Sequence, residues 1–252
     1  DAVKLRGEHE EGRYLSGGMT LIATMKQRLA APSDLIDLRH IPDLKGVSVD
    51  GRNVRIGAGT PQADVAGSSM LRSVCPAICA LAGMIGDPHV RHMGTIGGSI
   101  ANNDPAADYP AAMLGLGATI ITDRRWLAAD DFFTGMFETA LEEGEMVTAV
   151  TFEAPEKAGY AKFANPASRY ALTGVFVAKR GDGVRVAVTG AGADGVFRHA
   201  GMEAALAETW SPDSVAGTEV APADLLSDMH ASPDYRANLV KVMAKRAVMA
   251  AG

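Results

Sequence analysis

Two short stretches of this 252-residue chain set paired glycines beside hydroxyl side chains, a combination suited to binding an anion. Tyr14-Leu15-Ser16-Gly17-Gly18-Met19-Thr20 runs from apolar residues through a glycine pair into the start of a helical pattern. Thr95-Ile96-Gly97-Gly98-Ser99-Ile100 repeats the arrangement. Without a Cβ, such a pair lets backbone N–H groups approach a ligand closely. Amide clusters at turns and helix N-termini bind phosphate oxygens. Thr20, Thr95 and Ser99 add hydroxyl donors at the rims. Either pair alone also reads as a tight turn, whereas two matched pairs point to one diphosphate.

Other candidates carry less chemistry. Gly190-Ala191-Gly192-Ala193-Asp194-Gly195 fits G-x-G-x-x-G, but the dinucleotide fingerprint needs a parallel strand-helix-strand unit whose helix opens within the motif. Here the preceding strand belongs to a hairpin and Val196-Phe197-Arg198 does not read as a helix start, so a turn is expected. Cys75 and Cys79 share a helical segment and read as packing rather than as a redox or metal pair. His89 and His92 lack a third nearby ligand. Asp104 and Asp108 flank a helix start, where carboxylates are favoured by the helix dipole. They read as caps, or in the case of Asp108 as an acceptor for ribose or ribityl hydroxyls. No G-x-S-x-G nucleophile motif is present.

These residues must be positioned by elements the spacing suggests. Leu21, Ile22, Met25 and Leu29 predict a helix between Met19 and Leu29, stopped by Pro32. Val47 to Ile56 reads as a hairpin turned at Asp50-Gly51. Pro76 to Ile85 predicts a second helix, Gly86 to Asp104 a turn-rich stretch, and Pro105 to Gly115 a third helix. Ala118 to Thr122 and Val147 to Phe152 read as strands. Pro155, Glu156 and Lys157 mark a polar boundary, which divides the chain into residues 1–154 and 155–252. Beyond it, Thr173 to Ala178 and Val184 to Thr189 form a second hairpin candidate around Gly181-Asp182-Gly183. Helical pieces follow at Met202 to Glu208, near Pro222 to Asp228, and from Pro233 to the end. The expected class is α+β, with a smaller second domain of hairpin sheet plus helices.

Composition narrows the function. With 47% hydrophobic and 21% charged residues the chain is an ordinary globular protein, which excludes disorder and collagen. A net charge of −6 argues against a nucleic-acid partner. No run approaches the ~18 apolar residues of a membrane span, and no secretory signal opens the chain. Two cysteines exclude a disulfide framework, favour a reducing cytoplasm, and cannot supply a four-cysteine iron–sulfur cluster.

Taken in order, Ser16-Gly17-Gly18-Met19-Thr20-Leu21, Ile85-Gly86-Asp87-Pro88-His89-Val90-Arg91, Gly94-Thr95-Ile96-Gly97-Gly98-Ser99 and Asp104-Pro105-Ala106-Ala107-Asp108-Tyr109-Pro110 resemble one family. It is the FAD-binding medium subunit of the molybdenum hydroxylases, the aerobic carbon monoxide dehydrogenase and xanthine dehydrogenase group. The likeness continues through Ala128 to Phe133, Glu145 to Val150 and Tyr160-Ala161-Lys162-Phe163.

The resemblance implies a two-subdomain FAD-binding domain of the PCMH type over 1–154 and a C-terminal domain of antiparallel sheet plus helices over 155–252. It implies FAD contacts at Ser16, Gly17, Gly18, Met19 and Thr20, at Thr95, Ile96, Gly97, Gly98 and Ser99, and at Asp108, Val147 and Lys162. The usual first segment, Ala-Gly-Gly-x-Ser, appears here with Ser for Ala and Thr for Ser. Members usually begin earlier, so the N-terminus is expected to be incomplete. No inserted cysteine-rich segment is present, which sets aside the branch that carries one. The implied function is electron transfer through FAD. The implied partners are a large molybdenum-cofactor subunit and a small subunit with two [2Fe–2S] clusters, assembled as a dimer of heterotrimers in the cytoplasm. Such a complex can lie against the inner face of the membrane without an integral membrane segment. The alternatives are a stand-alone FAD-dependent reductase and a flavin-free assembly module.

Overall fold

The computed structural model describes residues 1–252. The chain opens with α1 (Ala2–Glu8), β1 (Arg13–Leu15), α2 (Leu21–Lys26) and β2 (Leu35–Asp37). β1 and β2 pair in parallel, Tyr14 opposite Ile36, with α2 in the crossover. α2 is shorter than the Met19–Leu29 periodicity suggests, because Arg28 turns into the left-handed region at φ 59°.

β3 (Val47–Asp50) and β4 (Asn53–Gly57) form the expected hairpin. Its register pairs Asp50 with Asn53, so the turn residues are Gly51 and Arg52, with Gly51 at φ 58°. Then come α3 (Gln62–Gly67), α4 (Ser69–Val74) and α5 (Pro76–Gly83). The next two elements correct the sequence reading. Gly86 to Asp104 is not merely turn-rich: it holds α6 (Pro88–Met93) and α7 (Ile96–Asn102). Each has a side-chain cap. The Asp87 carboxylate accepts the Val90 N–H at 3.0 Å, and Thr95 Oγ1 accepts the Gly98 N–H at 3.1 Å.

α8 (Tyr109–Leu116) starts four residues later than expected, because residues 105–107 are tied by hydrogen bonds to the second sheet instead. β5 (Thr119–Thr122), β6 (Trp126–Ala128), α9 (Ala129–Phe132), β7 (Phe133–Gly135), β8 (Glu138–Thr139) and β9 (Val147–Glu153) follow. β9 enters between β4 and β5, which gives an antiparallel sheet of order β3-β4-β9-β5-β6. Its apolar residues and those of α3, α5, α7 and α8 form the first core, around Ile56, Leu81, Ile96, Met113 and Val150.

The second sheet is β10 (Lys157–Ala164), β11 (Ala171–Arg180), β12 (Gly183–Thr189) and β13 (Phe197–Arg198), antiparallel in that order. α10 (Ala200–Glu208) and α11 (Pro233–Ala250) complete the chain. Strand alternation sorts this sheet's residues. Val175, Val177, Val186 and Val188 pack with α10 and α11 residues such as Met202 and Val240, in a separate core. Phe176, Ala178 and Ala187 face the first core. Tyr160 points the same way, its ring 6.2 Å from that of Phe176. Both faces of the second sheet are therefore buried, and one face leans on α8.

The Gly190–Gly195 stretch is a turn, as expected, held by backbone pairing of Gly192 with Leu225. Cys75 and Cys79 are free and buried at the two ends of the first turn of α5. Burial pushes the Cys75 thiol up to about 12. No helix is long and apolar enough to cross a membrane.

Candidate functional site

The two glycine segments meet. Ser16 Oγ lies 3.0 Å from Thr95 Oγ1. A Cβ on Gly17 would fall 2.6 Å from the Met93 carbonyl carbon and 2.8 Å from Gly94 Cα, so only glycine allows this approach. Together they wall a cleft of about 620 Å³, within the ~300–1,000 Å³ span of small-molecule sites.

The two segments play different parts. Gly17, Gly18, Met19 and Thr20 lie between β1 and α2, and none of their N–H groups has an acceptor within the protein. Gly18 sits at φ 72°. Four successive free amides at a cleft wall are donors of the kind that receive phosphate oxygens. The second segment is the start of α7, and its amides are engaged. Ile96 N–H donates to Thr60 O at 3.3 Å, Gly97 N–H to Ala58 O at 2.8 Å, and Gly98 N–H to Thr95 Oγ1. Gly97 is buried, whereas Gly98 is exposed to the cleft with Ser99 beside it.

Asp108, 4% exposed, lines the same cleft. Its carboxylate does not cap α8. It accepts from the Tyr160 hydroxyl at 2.5 Å and pairs with Lys162 Nζ at 2.9 Å. Burial pushes the Asp108 carboxyl up, opposed by the Lys162 ammonium and the Tyr160 hydrogen bond. Burial likewise raises the Tyr160 phenol well above its ordinary range, so it remains a donor. Asp104 also lines the cleft, and one of its oxygens accepts the Ala106 N–H at 2.9 Å.

Of the residues singled out in the sequence, Ser16 to Thr20, Thr95, Gly97, Gly98, Ser99, Asp108 and Val147 line this one cleft. Ile96 is turned into the first core, and Lys162 stands behind Asp108. His89 and His92 lie on exposed α6 with no metal-ligand grouping around them. The sequence reading missed Gln62, whose buried Oε1 has no partner at the cleft wall, and Arg169 and Tyr170 at its rim. It also missed Tyr160, although its two-residue spacing from Lys162 puts both on one face of a strand.

The residues fit a dinucleotide cofactor. Free amides are available for a diphosphate and a held carboxylate for hydroxyl or N–H groups. Val147, Leu38 and Met146 supply apolar wall. Such a cleft is suited to holding a dinucleotide cofactor. The family model described as "FAD binding domain in molybdopterin dehydrogenase" matches residues 1–154. The carbon monoxide dehydrogenase medium chain of Hydrogenophaga pseudoflava is 32% identical over all of this chain and 93% of its own length. The nicotine 6-hydroxylase medium subunit of Paenarthrobacter nicotinovorans is 33% identical over all of this chain and 94% of its own. The solved carbon monoxide dehydrogenase of Oligotropha carboxidovorans superposes with a TM-score of 0.89 at 34% identity, covering all of this chain and 93% of that one. The chain belongs to the family of FAD-binding medium subunits of the molybdenum hydroxylases. Its cofactor is FAD, and it is a subunit of an oxidoreductase.

Proposed function

We propose that this chain is the electron-transfer subunit of a molybdenum-containing hydroxylase or dehydrogenase. It relays electrons from two [2Fe–2S] clusters of a small partner subunit to an external acceptor, after a large molybdenum-cofactor subunit has oxidised the substrate. FAD supplies the redox chemistry when bound; this chain supplies binding, orientation and electrostatics. The observation that carries the reading is the cleft itself: free amides at Gly17 to Thr20 and the held carboxylate of Asp108 line one cleft in a chain of this family. Ser16 to Thr20, Thr95 to Ser99, Asp108 and Val147 are the proposed FAD segments, with Lys162 acting beside Asp108. Residues 1–154 are the proposed FAD-binding domain and 155–252 the C-terminal domain, supported by the end of the family match at 154 and the start of the second sheet at Lys157. The proposed assembly is a dimer of heterotrimers in the cytoplasm, a compartment in keeping with two free buried thiols.

The test is purification of the native complex. Three subunits, flavin, molybdenum and iron–sulfur spectra should travel together, and substrate should bleach the flavin only when all three subunits are present. A flavin-loaded chain that purifies without a molybdenum or iron–sulfur partner and turns over a substrate alone would overturn the reading.

A further inference from the structure

The segment that carries Asp108 is held from outside its own domain. Thr189 Oγ1 reaches the carbonyls of Pro105 at 3.1 Å and Ala107 at 2.6 Å. Gly190 N–H donates to Pro105 O at 2.8 Å and Ala171 N–H to Ala106 O at 3.3 Å. Tyr160 and Lys162 then take the carboxylate itself. All five residues belong to the second sheet or its connections. The fit at Tyr160 is specific: a Cβ on Gly174, in the neighbouring strand, would fall 2.5 Å from the Tyr160 hydroxyl oxygen. The hydroxyl therefore occupies the space that glycine leaves open. An Asp carboxylate on a short, two-torsion side chain has several orientations at a cleft wall. Two donors on one strand face leave it one.

We propose that Tyr160 is a positioning residue for the flavin site: its hydroxyl, beside Lys162, fixes the Asp108 carboxylate toward FAD from the second sheet. This deepens the FAD reading and rests on it. Tyr160 does not line the cleft, so it acts on the cofactor through Asp108. Gly174 leaves the space that this hydroxyl occupies.

The experiment uses the assembled complex, depleted of flavin and retitrated with FAD. Tyr160→Phe keeps the ring packed on Phe176 and removes only the hydroxyl. It should weaken FAD binding about tenfold, the worth of one hydrogen bond to a charged group. The thermal midpoint of the flavin-free protein should stay within a few degrees. Gly174→Ala, which displaces the hydroxyl, should weaken FAD binding too. Both variants should change the visible circular dichroism of the bound flavin in the same sense. In an Asp108→Asn background, Tyr160→Phe should cost little more, because the group it acts through has lost its charge. Wild-type affinity and dichroism in Tyr160→Phe would overturn the inference, as would an undiminished loss in the Asp108→Asn background. A wild-type complex that takes up no FAD would overturn the functional reading and this inference with it. A complex that binds FAD alongside an unaffected Tyr160→Phe would overturn this inference alone.

Discussion

Gly97 and Gly98 are adjacent and identical in the sequence, yet alanine should separate them cleanly. At Gly97 a Cβ would fall 2.7 Å from the carbonyl oxygen of Ala58 and 2.8 Å from its Cα. Ordinary carbon contacts lie at about 3.5–4.0 Å, so α7 would have to move by nearly an ångström against backbone that cannot yield. That movement also stretches the 2.8 Å hydrogen bond from Gly97 N–H to Ala58 O. Overpacking costs about 1–3 kcal/mol and a lost hydrogen bond about 1 kcal/mol. Replacing a helical glycine returns about 0.5–1 kcal/mol, which leaves a net loss of about 1–3 kcal/mol. At ~2–4 °C per kcal/mol for a chain of this size, the flavin-free protein should melt roughly 2–12 °C lower. At Gly98 the nearest atom to a Cβ is Thr95 Oγ1 at 3.1 Å, and the position opens on the cleft. Gly98→Ala should therefore leave flavin-free stability within about 0.5 kcal/mol while weakening FAD binding. The assay is thermal unfolding of both flavin-free variants, followed by FAD titration. Equal melting losses at the two positions would refute the division of labour, and so would a Gly98→Ala protein with wild-type FAD affinity.

Three further outcomes follow from other buried or paired groups. Arg236 is buried and donates at 2.6 Å to the carbonyls of Leu172 and Gly190 while pairing with Asp228; Arg236→Leu should cost about 3–5 kcal/mol in urea unfolding, and a loss under ~1 kcal/mol would mean the cluster is idle. The Arg125 hydrogen bond, opposed by burial, holds Glu145 down to about 2, against 4.5 for a free side chain. A folded-state value below the unfolded one gives stability that is complete above 4.5 and lost as pH falls toward 2; Glu145→Gln should flatten stability against pH in that window, and an unchanged slope would count against the pairing. Burial holds both thiols protonated, Cys75 up to about 12; a disulfide reagent near neutral pH should label neither in the folded chain and both after denaturation.

Local signals explain what is legible in the sequence. The hairpin turn at Gly51, the Pro76 helix start and the 18-residue terminal helix α11 each announce themselves in a few adjacent residues. α6 and α7 do not, because Gly86, Gly94, Gly97 and Gly98 depress helix propensity while the stabilising groups are the caps Asp87 and Thr95. The parallel pairing of β1 with β2 lacks any local sign, since it depends on partners about twenty residues apart. The cleft follows the same rule. Its glycine segments can be found by eye, but the separate parts of Gly97 and Gly98 depend on Ala58, a neighbour only in space. Asp108 at a helix start looks like a cap. Its true partners, Tyr160 and Lys162, come from a strand more than fifty residues away.

The cleft is therefore assembled from two sources of order. Its donor side needs little beyond local chain geometry: a strand end, a glycine at φ 72°, and amides left without acceptors. Its acceptor side is ordered only if the second sheet is formed and seated, because every side-chain hydrogen bond to the Asp108 carboxylate originates beyond residue 154. A ligand that touches both sides binds only the state in which both cores are packed together. Its binding energy then adds to the stability of that packed state. On the proposed reading the C-terminal domain, residues 155–252, takes part in the FAD site alongside the glycine segments, although the family match ends at residue 154.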